Sequence, residues 1–445
     1  MTNDAAILIE AIKTNDVAVA DALLTANPGL RAVLARPVAG DPFGATVLTH
    51  PSTCGHLDMV DVLIGHGADI NARSDWWAGS FGVLDSCDPA VAPALIARGA
   101  RVDIHAAARL GMLDVLIHLL DGNAELVHAR GGDGQTPLHF AANIDVAAEL
   151  LKRGADIDAI DVDHESTPAQ YMLRDRTDVA GYLVTRGCRS DILMASALGA
   201  LELVRKHVAA APDAIRTRVS PKWFPMRRSR AGGIIYIRTL AQYATPHSVA
   251  RDKGHVDVYD CLISETPDEL KLLRAAECGD ATLVRELLES GATFGASLEG
   301  DDRRSIAIAA SANNIDAVRL MLEAGWPSDV RGENGGTPLH WAAWMGNAEM
   351  VRVLLDHHAA LEDRGDDYHM TPLGWALHGS INCWRKELGD YGATVRALLE
   401  AGAEHPGDCR DVDASEVAVQ ALKSFRTRQP RSAPPSSAAV TVVPD

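Results

Sequence analysis

Carboxylates, imidazoles, guanidinium groups and indoles gather in a few short stretches of this chain, and proton transfer, anion capture and stacking are built from those groups. Asp163-His164-Glu165 stands in the polar run Asp161-Val162-Asp163-His164-Glu165-Ser166. There Glu165 or Asp163 offers a general acid or base, and His164, with His378 further on, a proton carrier. The segment 216–238 is a basic island in an acidic chain. Its Arg227, Arg228 and Arg230 supply forks for a carboxylate or phosphate, and its Trp223, Phe224 and Tyr236 supply stacking faces. The same arginines can instead pair with the chain's own surplus acids. Trp76 and Trp77, adjacent in sequence, either line a ligand site or pack under a neighbouring loop. Tyr171, Trp341, Trp344, Trp375 and Trp384 complete the aromatic set, and Trp341 and Trp344 share a helix face at i, i+3.

Standard catalytic signatures are missing. The sequence holds no Gly-x-Ser-x-Gly elbow, phosphate loop, dinucleotide fingerprint or His-Glu-x-x-His, and His164-Glu165 is only a fragment of the last. The seven cysteines are scattered without a Cys-x-x-Cys pair. That pattern suits buried thiols in a reducing cytoplasm, so neither a metal nor a cofactor is expected. A net charge of -18 disfavours nucleic acid as a partner. No apolar run is long enough to cross a membrane. The start Met1-Thr2-Asn3-Asp4 lacks the basic character of a secretory signal, so a soluble, cytoplasmic, monomeric protein is expected.

The elements that must position these groups are written as a repeat. Thr136-Pro137-Leu138-His139 recurs as Thr337-Pro338-Leu339-His340, each followed by an alanine pair and, further on, by Leu-Leu and a Gly-Ala step. Thr46-Val47-Leu48, Thr167-Pro168, Thr245-Pro246-His247 and Thr371-Pro372-Leu373 are decayed copies. Threonine and proline suit the N-cap and first position of a helix, paired alanines allow close helix approach, and the closing glycine turns the chain out of the second helix.

The pattern resembles the ankyrin-repeat family, in the degenerate, insertion-bearing form of bacterial members, over nearly the whole chain. The resemblance implies an all-α solenoid of stacked helix-turn-helix units with β-turn fingers, about eleven units including caps. The expected division is capping helices in 1–36, an array in 37–405 with insertions near 73–90, 216–244 and 379–390, a cap in 406–425 and a disordered tail in 426–445. The run Ile234-Ile235-Tyr236-Ile237 after Gly232-Gly233 predicts a small inserted hairpin. In the family, a glycine lies two residues before the threonine at the tip of the turn. Gly44, Gly134 and Gly335 keep it, whereas Glu165, Tyr243 and His369 replace it, which strains a bulky residue at positive φ unless the turn is rebuilt, as the extra residue in Asp161-Val162-Asp163-His164-Glu165-Ser166 would allow. The motif histidines His139 and His340 are expected to bond within and between turns.

The resemblance also implies a concave groove lined by first helices and turns, and there Tyr171, Trp341, Trp344, Trp375 and His378 would lie. Two functions follow. In one, the groove and turn tips bind a partner protein. In the other, the groove is an enzyme site or receptor for a small polar ligand, such as a sugar or an anionic metabolite, with Asp163, His164, Glu165 and His378 as its acid–base groups. A closed pocket around Glu165 with a shifted carboxyl pKa would favour the second, and an open groove the first. The departures from the repeat at Trp76-Trp77, at Glu165, across 216–238 and after His378 are expected to converge on one concave surface.

Overall fold

The computed structural model describes residues 3–38, 41–294, 298–406 and 412–428. Among these residues every regular element is a helix or helical turn. Helix, short turn, helix recurs twelve times, from Asn3–Lys13 with Val17–Ala26 to Pro372–Asn382 with Tyr391–Glu400, and a single helix, Glu416–Arg428, follows. The chain divides into two compact units, Met1–Leu262 and Ile263–Asp445. The closing helix takes in 426–428, so the expected tail begins as helix, and the rest of it, 429–445, lies outside the described residues.

The Thr-Pro signature does locally what its chemistry requires. Thr136, Thr167, Thr245, Thr337 and Thr371 are each an extended N-cap, with the following proline opening the helix. The motif histidine closes the cap. His139 Nδ1 accepts the Thr136 N–H at 3.1 Å, and its Nε2–H donates to the Ser166 carbonyl of the next turn at 3.2 Å. His340 repeats this with Thr337 and the Met370 carbonyl. The copy at Thr167 substitutes Gln170, whose Oε1 accepts the Thr167 N–H at 2.9 Å. These bonds link successive turns, while the alanines and leucines of each helix pair fill the core. Leu150 and Leu354 are fully buried, a burial that stabilises by roughly 1.5–3 kcal/mol per side chain.

The turn tips are left-handed whether or not the glycine is kept. Gly44, Gly134 and Gly335 have φ of 59°, 70° and 62°, and the replacements Glu165, Tyr243 and His369 are also left-handed at 47°, 62° and 51°. For a residue with a Cβ this costs roughly 1–2 kcal/mol.

One expectation fails and another shifts, each for a physical reason. The predicted hairpin is not formed: Ile234, Ile235 and Tyr236 are buried in succession, which an alternating strand does not allow, and the chain enters a π-helical turn at Ile237–Ala241. Its backbone donors go to the preceding turn instead, Gly232 N–H to the Asp163 carbonyl and Ile235 N–H to Ser166 Oγ. The insertion expected at 379–390 begins late, with helix as far as Asn382 and Trp384 in the stretch between it and the helix Tyr391–Glu400. Gly379 serves close packing there, since a Cβ at that position would lie 2.6 Å from the Trp344 carbonyl oxygen.

Candidate functional site

In the first unit, three of the four predicted interruptions meet. Glu165 sits at its strained turn tip with both carboxylate oxygens engaged: Oε2 accepts the Arg227 N–H at 3.0 Å and Oε1 the Arg228 N–H at 2.9 Å, with Arg228 Nη1 3.5 Å away. A carboxylate tied to two amides is an anchor for the basic segment rather than a free acid or base. Asp163 and His164 are buried and hold the same segment further along. Asp163 Oδ1 accepts the Gly232 N–H at 3.2 Å, and His164 Nδ1–H donates to the Gly233 carbonyl at 2.7 Å. Arg230 lies over the Trp77 ring at 5.0 Å, a cation–π contact. Trp76 donates its indole N–H to Asp133 Oδ1 at 2.9 Å and packs edge-on against Phe43. The two tryptophans are therefore partly buried and both partnered.

Tyr171 donates to Asp161 Oδ2 at 3.0 Å, between the rings of His139 and His164. Tyr236, expected as a stacking face, is in the core: it is fully buried and its hydroxyl donates to Asp191 at 2.8 Å. Its aromatic surface is spent on packing against Phe224. Trp223, Arg227 and Arg228 line an open cleft of about 840 Å³ with Glu165 on its wall.

Two residues central to this constellation were missed in the sequence. Asp133 precedes the turn glycine Gly134, at φ 54°. Burial, with the nearby Asp163 charge adding to it, raises its pKa to about 6. Asp161 is buried and accepts from the N–H groups of His164 and Ser166, and burial still pushes its pKa above the usual carboxylate value. The only signal was their position flanking the turns, which ordinary turn aspartates share.

In the second unit the aromatic residues converge. Trp341, Trp344, Trp375, Trp384 and His378 line a cavity of about 390 Å³, together with Asn334, Tyr368 and Met370, which the sequence did not single out. Trp341 and Trp375 meet edge to face at 5.2 Å and 85°, and Trp344 meets Trp375 at 6.1 Å and 73°. Trp384 tilts against both Trp341 and Trp344, and Tyr368 stands 6.0 Å from Trp375. Gly336 makes this approach possible, because a Cβ there would lie 2.8 Å from the Trp375 ring. Trp384 and Tyr368 are 62% and 60% exposed, so the mouth of the cavity is aromatic and open to solvent. The indole N–H groups of Trp341 and Trp344 find no acceptor among the described residues. His378 is exposed and stacks obliquely on Trp344 at 5.8 Å.

The segment Glu362-Asp363-Arg364-Gly365-Asp366-Asp367 leads directly into Tyr368 and carries four acids against one arginine. Asp363 and Asp366 are met by Arg331, while Asp367 is exposed and pairs with no cation among the described residues. The cavity is therefore mainly apolar and aromatic in its lining, and the acidic segment adjoins it in the chain at Tyr368.

Comparison with known proteins agrees with the helix-pair architecture. Residues 272–364 and 306–406 match the family described as ankyrin repeats (3 copies), and 43–75 and 133–162 match the single ankyrin repeat. The chain is an ankyrin-repeat protein. It is 38% identical over 106 residues to the BTB/POZ domain and ankyrin repeat-containing protein NH5.2 of Oryza sativa subsp. japonica, covering 23% of this chain and 20% of that one. It is 28% identical over 159 residues to the human ankyrin repeat and SOCS box protein 16, covering 34% and 35%. The chain thus spans a fifth of the rice protein's length and about a third of the human one's. Among solved structures, the human ASB11 ankyrin repeat domain aligns at a TM-score of 0.29 and 18% identity, covering 68% of this chain and 99% of that domain.

Proposed function

We propose that this chain is a protein-binding module whose second unit takes a basic side chain of its partner into the tryptophan-lined cavity. The observation that carries the reading is the cavity itself, with four indoles and a tyrosine around about 390 Å³ and two of the aromatic rings at its mouth left in water. Exposing Trp384 and Tyr368 is unfavourable unless something covers them, and aromatic anchors of this kind dominate binding energy where they are buried by a partner. A cation over an indole face gains about 0.5–2 kcal/mol, more as the site is desolvated. The acidic segment that leads into Tyr368, with Asp367 exposed, adds attraction of the same sign. Ankyrin repeats serve protein interaction in general, which agrees with this reading.

Selection from a random peptide library on the full chain tests it. Recovered sequences are expected to share an arginine or lysine, and the Trp384→Ala, Tyr368→Ala double variant, altered only at exposed positions, is expected to lose them. Selected peptides without a basic residue, or retained by the double variant, would refute the assignment. A second reading, in which the first unit handles a small polar ligand through Asp163 and His164, is favoured by one observation, the convergence of these two with the buried Asp133.

A further inference from the structure

Three donor groups of the first unit converge where the turn carrying Asp133 meets the turn carrying Asp163 and His164. All three are buried, and one ligand atom from each lies within 4.8 Å of the others. Each residue has one polar atom already tied from behind. Asp133 Oδ1 takes the Trp76 N–H, Asp163 Oδ1 takes the Gly232 N–H, and His164 Nδ1–H is given to the Gly233 carbonyl. That leaves one further oxygen on each carboxylate, and Nε2 on the ring. It is the arrangement by which ligating histidines and carboxylates are oriented by outer partners.

With Nδ1 turned to the Gly233 carbonyl, His164 Nε2 faces Asp163 Oδ2 at 3.5 Å, and both side chains are buried. Asp161 adds a third carboxylate, and among the described residues no lysine or arginine pairs with Asp133, Asp161 or Asp163. Two ligands at about 2.1 Å from a metal, subtending about 110°, stand about 3.4 Å apart, close to the 3.5 Å between His164 Nε2 and Asp163 Oδ2. Gly232 leaves the room, for a Cβ there would come within 3.1 Å of both Asp163 Oδ2 and the His164 ring.

We propose that Asp133, Asp163 and His164 bind one divalent first-row transition-metal ion of the Zn²⁺ or Mn²⁺ class. One imidazole and two carboxylates are a borderline-to-hard donor set, which suits these ions and not thiophilic ones. Three protein ligands leave a coordination position for water or for a small ligand. The ion neutralises the buried acids and ties two successive turns to the 216–238 segment.

The test uses the full chain, stripped with chelator and titrated with Co²⁺ or Zn²⁺. A second cluster, His50, Cys54 and His56, has soft ligand character, so all titrations are run in parent and Cys54→Ser backgrounds. One equivalent of Co²⁺ should bind in both, with a ligand-field spectrum free of a thiolate charge-transfer band, and Zn²⁺ should displace it. Asp133→Asn and His164→Gln should each weaken uptake by at least about 100-fold. Zn²⁺ should also raise the unfolding temperature of the parent chain, and chelator should reverse this, a readout that stands even if a variant fails to fold. No stoichiometric uptake by the parent overturns the proposal. So does uptake equally tight in the folded variants, or uptake abolished by Cys54→Ser.

Discussion

Replacing His139 by glutamine should change the pH dependence of stability more than stability itself. The ring is fully buried between Thr136 and Ser166, and burial lowers its pKa to about 3, against an unfolded value of about 6.5. The unfolded chain therefore takes up the proton first. The stabilisation from keeping the ring neutral is complete above about pH 6.5 and is lost as pH falls from there towards about 3, at about 1.4 kcal/mol per pH unit. At pH 5 that amounts to about 2 kcal/mol. Glutamine is the right probe because the neighbouring repeat already uses Gln170 at the equivalent position to hold the Thr167 N–H. The variant should keep the cap and lose the bond to the Ser166 carbonyl, worth about 1 kcal/mol. It should thus be about 1 kcal/mol less stable at pH 7.5 and about 1 kcal/mol more stable at pH 5. Asp133, raised to about 6, works the other way as pH falls, but it is common to both proteins and cancels in the difference. Urea unfolding followed by circular dichroism at the two pH values measures it. A gap of the same sign and size at both would refute the reasoning.

Other consequences follow from single contacts. Glu165→Ala removes the acceptor for the Arg227 and Arg228 amides, so tryptic cleavage at these arginines should accelerate several-fold while cleavage in the second unit stays unchanged. Arg274 is fully buried against Glu277 and Asp302; Arg274→Met should cost about 3–5 kcal/mol in urea unfolding, because the acids lose their partner. Gly379→Val drives a side chain into the Trp344 carbonyl, and should lower stability by about 1–3 kcal/mol and weaken capture of basic peptides.

The fold was legible because the Thr-Pro-Leu-His cap and the leucine and alanine positions are local rules, each satisfied within one helix pair. The positive φ at Glu165, Tyr243 and His369 was legible for the same reason, as a missing glycine at a defined turn position. The 216–238 segment was misjudged because its form is set by long-range contacts. Ile234 and Tyr236 are drawn into the core and Gly232 onto Asp163, which no β-propensity scale records. Of the sites, the tryptophans of the second unit were visible as a stripe, whereas Tyr368 and Asp367 were not, since an acidic turn looks like any solvated loop. Asp133 was hidden for the opposite reason: its burial depends on Trp76, more than fifty residues away in the chain.

The protein-binding account is tested most directly by the indole N–H resonances of the eight tryptophans, followed by NMR while a selected basic peptide is added to the full chain. The account predicts that Trp341, Trp344, Trp375 and Trp384 shift, saturate together and lose the response in Trp384→Ala, while Trp76, Trp77, Trp223 and Trp326 stay in place. Shifts confined to the latter four, or a bound peptide that moves none of the cavity indoles, would contradict it.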